Sequence, residues 1–112
     1  MCSLLWAAGS ATWKIIPNPT PDSSTNSSFR SIAAVSSKDV WAVGYYVDSQ
    51  TQKYRTLIEH WNGTKWSIVA SPTGSSESSL NAVAHVPGTT TAWTAGDIFR
   101  NSGRFTLTAF NS

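Results

Sequence analysis

The feature that most constrains this chain is that its sequence repeats itself. The segment Phe29–Gly44, FRSIAAVSSKDVWAVG, aligns with Leu80–Gly96, LNAVAHVPGTTTAWTAG, so that Trp41 and Trp93 fall 52 residues apart. A second landmark has nearly the same period. Trp13 in WKIIPNPTP and Trp66 in WSIVASPTG are 53 residues apart, and each leads through two β-branched residues toward a Pro. A fixed period of roughly fifty residues marks a stacked repeat architecture, in which each unit buries an apolar face against its neighbour.

Inside the repeat, short apolar segments separated by turn residues predict strands at regular spacing. The complete copy holds four: strand A at Arg30–Val35, B at Val40–Tyr46, C at Arg55–Trp61 and D at Lys65–Ala70. Ser36-Ser37-Lys38-Asp39 predicts a polar turn. Asn62-Gly63 predicts a type I′ hairpin, whose two central residues both need positive φ. Strands A and B are apolar on both faces (Ile32, Ala33, Ala34, Val35; Val40, Trp41, Ala42, Val43), whereas C alternates Leu57, Glu59, Trp61 against Ile58, His60. Four-stranded antiparallel sheets stacked radially, the blades of a β-propeller, satisfy both patterns, and Ala33, Ala34, Ala42 and Gly44 suit the crowded region near a propeller's channel. A β-sandwich is the alternative. It accounts for the strands but gives no reason for the repeat.

The copies are partial. Leu4-Leu5-Trp6 and a turn at Ala8-Gly9-Ser10 predict the end of a strand C and its hairpin, so that residues 1–16 supply tail strands of a preceding blade. Residues 29–70 then form a complete blade, and residues 80–112 an incomplete second blade with Arg104–Phe110 as its strand C. Stacked repeats need about three or more units for stability. The expectation is therefore self-association, for example three chains closing a six-bladed ring, or missing further blades.

DVWAVG at Asp39–Gly44 and TLIEHWNGTKWSIVASP at Thr56–Pro72 resemble the repeats of bacterial, often exported, multi-bladed propeller proteins. The resemblance spans Trp13–Phe110 and is broadly to kelch, galactose-oxidase-type and sialidase-like propellers. It implies an all-β, partial two-repeat propeller, and it favours an extracellular or cell-surface location. No signal peptide is read in the chain itself, since Met1–Ala8 lacks a basic start and is too short. The second copy departs from the pattern, with Thr91 in the place of Asp39 and Phe110 near the place of Trp61. The sialidase-type Asp box is not matched either. Gly63 and Trp66 fit its spacing, but Trp61 stands where the acid should be.

Composition narrows the chemistry. The chain is 40% apolar and only 12% charged, with 18 Ser and 13 Thr among its 112 residues, which predicts a neutral, hydroxyl-rich surface. Its basic residues (Lys14, Arg30, Lys38, Lys53, Arg55, Lys65, Arg100, Arg104) are scattered and the net charge is +2, so no phosphate-binding face is read and nucleic acid is not an expected partner. No run is long enough to span a bilayer. Cys2 is the only cysteine, which excludes an internal disulfide and a cysteine-based zinc site within one chain. Without a metal-spaced His pair or a Gly-rich phosphate loop, no metal and no cofactor is expected. His60 and His85 read as structural or surface residues. Among Asp22, Asp39, Asp48, Glu59, Glu77 and Asp97, Asp39 is expected to hold its turn and Glu59 to lie on a half-exposed strand. Glycoside hydrolysis would need two of these acids about 5 to 10 Å apart at one pocket. No catalytic residue is assigned.

What is left is binding. Trp13, Trp41, Trp66 and Trp93 recur with the repeat and are expected in the core. Antiparallel order places the tight A-to-B and C-to-D turns at one end of each sheet. The long loops, Val47–Lys53, Pro17–Ser28 and Ser71–Ser79, fall at the other end. Binding residues concentrate on such loops. The candidates there are Asp22, Asn26, Asp48, Gln50, Gln52, Glu77 and Asn101, joined by Tyr45, Tyr46 and Tyr54, which flank the B-to-C loop. The expected function is a non-catalytic binding or scaffolding module recognising a protein or glycan. A glycosidase or sialidase-like enzyme fragment is one alternative, and a gene fragment without independent function is another.

Overall fold

A computed structural model describes residues 12–71 and 76–111. These residues form seven strands and no helix: β1 (Ser24–Ser36), β2 (Asp39–Asp48), β3 (Tyr54–Trp61), β4 (Trp66–Val69), β5 (Ser78–His85), β6 (Ala92–Arg100) and β7 (Gly103–Asn111). They build two antiparallel sheets, a four-stranded meander β1-β2-β3-β4 and a three-stranded meander β5-β6-β7. Every hairpin joins sequence neighbours, as short connections favour. Of the tail strands expected over residues 1–16, residues 1–11 lie outside the described residues, and residues 12–16 form no strand.

Strands B, C and D of the first copy and strand C of the second fall where their apolar runs place them. Strand A does not stop at Arg30. Ser24 to Phe29, a hydroxyl-rich stretch assigned to a loop, pairs with the extended end of β2, with Asn26 opposite Val47 and Ser28 opposite Tyr45. The long loop before strand A is shortened accordingly, because backbone pairing with an already formed partner overrides weak side-chain preference.

Both sheets carry the same irregularity at the same place. Pairing skips one residue between Phe29 and Ser31 in β1 and between Leu80 and Ala82 in β5, so Arg30 and Asn81 are bulge residues at equivalent points of the repeat. Each bulge faces a glycine. A Cβ on Gly44 would sit 1.9 Å from the Ser28 carbonyl oxygen, and one on Gly96 would sit 2.0 Å from that of Ser79. A bulge bends its strand toward the partner, and only a residue without a side chain tolerates the approach. The repeat is thus a structural unit as well as a sequence period.

The hairpin at Asn62-Gly63 differs from expectation. Gly63 has φ of 97°, but Asn62 does not have positive φ, so the turn is not type I′. The Asn62 Oδ1 accepts from the N–H groups of Thr64 and Lys65 at 2.9 and 3.0 Å, and Asn62 N–H donates to the Lys65 carbonyl. This side-chain bonding closes a four-residue loop in place of the two-residue turn.

Contact between the sheets runs through β5, which lies against β1, β2 and β3. The face of the first sheet that carries Trp41, Val43 and Ile58 looks toward the second sheet, and the sheets part toward β7 around a cleft of about 370 Å³. The second sheet answers with its opposite face, on which Ala92, Thr94 and Ile98 are buried. The repeat-equivalent bulge residues meet at the seam, where Arg30 Nη1 donates to Asn81 Oδ1 at 2.6 Å, and beside them Val83 N–H donates to the Ser31 hydroxyl at 3.2 Å.

Two further expectations are corrected. Strand A is not buried on both faces, because β1 is an edge strand and Ile32 is 64% exposed. Nor do all four recurring tryptophans enter the core. Trp41 and Trp66 are half-buried, Trp93 is exposed at the rim of the cleft, alternating with the buried Ala92 and Thr94, and Trp13 is fully exposed in a segment that belongs to neither sheet. Burial of those two rings requires a neighbour that the described residues do not supply.

Candidate functional site

The loop ends of the two sheets meet at one place. The β2–β3 connection is held by Asp48, whose N–H donates to the Lys53 carbonyl at 3.0 Å, whose carbonyl accepts from Gln52 N–H at 2.7 Å, and whose Oδ1 accepts from Gln50 N–H at 2.9 Å. Ser49 N–H donates to the Ser23 carbonyl at 2.6 Å, tying this loop to the turn before β1. From the second sheet comes Glu77. Its Oε2 accepts from Tyr54 N–H at 3.1 Å and its backbone carbonyl from Phe99 N–H at 2.7 Å, while Arg55 Nη1 donates to the Ser76 carbonyl at 3.0 Å. Around this stitch lies an open cleft of about 470 Å³, lined by Lys53, Ser76, Glu77, Phe99, Arg100 and Asn101.

An aromatic and polar strip crosses the seam beside it. Tyr45 and Tyr54 stack with ring centroids 4.8 Å apart, and the Arg30 guanidinium stands 4.9 Å over the Tyr45 ring. Arg30 reaches Asn81, which sits on the strand paired with the one that bears Asp97. Asp97 accepts from Arg104 Nη2 at 2.7 Å. The hydrogen bond from Arg104 holds the Asp97 carboxyl below its usual range against a smaller opposing effect of desolvation, with Asn81 and Arg30 adding to the lowering. Arg104 also lies over the Phe99 ring at 5.6 Å. A guanidinium over an aromatic face is attracted by the ring's quadrupole and helps to hold the ring in place.

Of the residues singled out in the sequence, Tyr45, Tyr54, Glu77 and Asn101 are brought to this region. Asp48 and Gln50 border it, bonded within their own loop. Asp22 is exposed in the turn before β1, and Asn26 is exposed on β1 rather than in a loop. Tyr46 points to the other face of β2, where it lines a separate cleft with Pro21 and Leu57. Arg30, Asn81, Arg100 and Arg104 were not singled out. The signal for the first two was available, since a polar residue at the same point of both apolar A strands (FRS, LNA) marks a position turned out of the strand's alternation.

Two other groups of titratable residues are explained by packing. His60 Nε2 lies 2.7 Å from Asp39 Oδ1, and its ring sits 4.4 Å from that of Trp41, so the Asp39 carboxylate ties β2 to β3, while the side-chain bond within the turn before it runs from Lys38 N–H to the Ser36 hydroxyl at 3.2 Å. Glu59, expected on a half-exposed strand, is fully buried. The segment before β1 comes down on that face: Asn18 Nδ2 reaches the carboxylate at 3.4 and 3.5 Å, and Phe29 and Trp66 flank the site with rings 6.2 Å apart. Burial pushes the Glu59 carboxyl up, and the Asn18 amide offsets part of that rise.

Among the described residues no group of three or more His, Cys, Asp or Glu is placed to hold a metal ion, and no helix is long and apolar enough to cross a membrane. Comparison with protein-family models, with curated proteins and with solved structures finds no match to this chain.

Proposed function

We propose that the chain is a pair of β-propeller blades serving as a non-catalytic binding module, and that it recognises a glycan or protein at the loop end. The observation that carries this reading is the strip Tyr54, Tyr45, Arg30 and Asn81 beside the cleft of Lys53, Glu77, Arg100 and Asn101. Stacked aromatic faces ringed by amide, carboxylate and guanidinium groups suit a polar ligand with flat apolar patches, which is the chemistry of a sugar ring or a peptide turn. A blade pair is favoured over a sandwich by the seam. The sheets meet at equivalent residues of their A strands and diverge outward, as radial stacking demands. Hydrolysis is not proposed, since Glu77 is engaged with Tyr54 N–H and Asp48 with Gln50 N–H.

Screening the purified chain on a glycan array and a peptide array tests the reading. Binding should be lost in Tyr54→Ala and in Arg100→Ala/Asn101→Ala at unchanged melting temperature. Binding that survives both variants, or no binding on either array, would overturn it.

A further inference from the structure

We propose that residues 13–16 of one copy of this chain form the fourth strand of the second sheet of another copy, pairing antiparallel with β7. The inference rests on the stacking part of the reading above and not on the loop-end ligand.

Three observations converge. Trp13-Lys14-Ile15-Ile16 occupies the repeat position of β4, Trp66-Ser67-Ile68-Val69, the outermost strand of the first sheet. In its own chain that segment belongs to no sheet, and Trp13 and Ile15 are 101% and 99% exposed. Conversely, the second sheet ends at β7, whose outer edge has no strand partner among the described residues. An unpaired strand edge is a template for another chain.

The packing of the two sheets supplies the geometry. Trp41 opposes His60 in the first sheet as Trp93 opposes Phe110 in the second, and the rings of both pairs are in contact, tilted with centroids 4.4 Å apart in the first and stacked at 4.8 Å in the second. By this register Phe110 takes the place of His60 rather than of Trp61. The Trp41 face is covered by the second sheet, whereas Trp93 and Phe110 on the equivalent face are 48% and 59% exposed. On the opposite face of the first sheet, Phe29, Ile32 and Ile68 are exposed. The contact is head-to-tail, so the same step can be repeated. Repeating it seats the first sheet of a second copy on the Trp93 face. Its residues 13–16, joined to β1 as β4 is joined to β5, are then carried alongside β7. Transferring the β3–β4 register assigns the pairs Thr108 with Ile16, Ala109 with Ile15, Phe110 with Lys14 and Asn111 with Trp13. Head-to-tail contacts close into rings when the rotation allows. Propellers typically have four to eight blades, so about two to four copies would complete one.

Cross-linking tests the register. In a Cys2→Ser background, Ile16→Cys/Thr108→Cys and Ile15→Cys/Ala109→Cys bring cysteines opposite one another, while Lys14→Cys/Thr108→Cys sets them two residues out of register. A disulfide needs Cα atoms within about 7 Å. Oxidation should yield covalent oligomers from at least one in-register pair and none from the offset pair. Light scattering should show an oligomer for the unmodified chain and a monomer for Ile15→Pro, whose far-ultraviolet strand signal is retained because residue 15 lies outside both sheets. An unmodified chain that is monomeric, an oligomer indifferent to Ile15→Pro, or equal cross-linking of the offset pair would each overturn the proposal.

Discussion

Replacing Gly44 by Ala is expected to be among the most damaging small substitutions in the chain. The new Cβ would lie 1.9 Å from the Ser28 carbonyl oxygen, 2.8 Å from Phe29 Cα and 2.9 Å from the Ser28 carbonyl carbon, where ordinary contact begins at 3.4 Å. Relief requires the strands to part by 3.4 − 1.9 = 1.5 Å at the oxygen. The atoms struck are backbone and cannot rotate aside. Overpacking a well-packed site typically costs about 1 to 3 kcal/mol. Losing one ladder hydrogen bond at the bulge adds about 1 kcal/mol. The sum is about 3 kcal/mol, a large share of the roughly 5 to 15 kcal/mol that holds a domain folded. Such a loss lowers the melting temperature by about 12 to 24 °C in a domain of this size, and urea titration followed by circular dichroism should show a lower midpoint at unchanged slope. Gly96→Ala, with its virtual Cβ 2.0 Å from the Ser79 oxygen, should cost nearly the same. Gly88 is the control. Nothing lies within 4 Å of its virtual Cβ, but its φ is 79°, so Gly88→Ala should cost only about 1 kcal/mol through backbone strain. A Gly44→Ala variant within 1 kcal/mol of the parent, or one less harmed than Gly88→Ala, would refute the collision argument.

Glu59 has a folded pKa raised above its unfolded value of 4.5, so it binds its proton more tightly when folded. Its contribution to stability is fully present below pH 4.5 and is lost as pH rises through the folded pKa. Glu59→Gln should therefore remove this slope and stabilise the chain at pH 7 by about 1 to 2 kcal/mol, measured by urea titration at several pH values. Asn18→Asp should act in the opposite sense at neutral pH by setting a second carboxylate against the first. Asn62→Ala should cost about 1 kcal/mol in thermal melts, since the N–H groups of Thr64 and Lys65 lose their shared acceptor. A loss under 0.3 kcal/mol would mean that water replaces the side chain.

The strands were legible because their signal is local. Val40 to Tyr46 and Arg55 to Trp61 declare themselves by apolar runs bounded by turn residues, and the period between Trp41 and Trp93 places their counterparts. Features that depend on a neighbour were not legible. Ser24 to Phe29 becomes strand because β2 extends far enough to pair with it, which no property of STNSSF announces. Glu59 alternates correctly for a half-exposed face, yet Asn18, some forty residues earlier in the chain, comes down on that face. The loop-end site was half legible. Tyr54, Glu77 and Asn101 follow from loop placement, whereas Arg30 and Asn81 sit in strands and reach the seam only because bulges turn them outward.

Those bulges have a consequence for how the two halves can diverge. A strand pair pinned at one irregular point keeps its alignment without help from residues elsewhere along it. The Asp39–His60 hydrogen bond of the first sheet stands where the second has Thr91 and Phe110, and β5 and β6 still pair on both sides of the bulge that faces Gly96. Register and surface chemistry are thereby separated. Either copy is thus free to exchange its charged and aromatic side chains without losing its strand alignment, as long as the bulge and its glycine are inherited together.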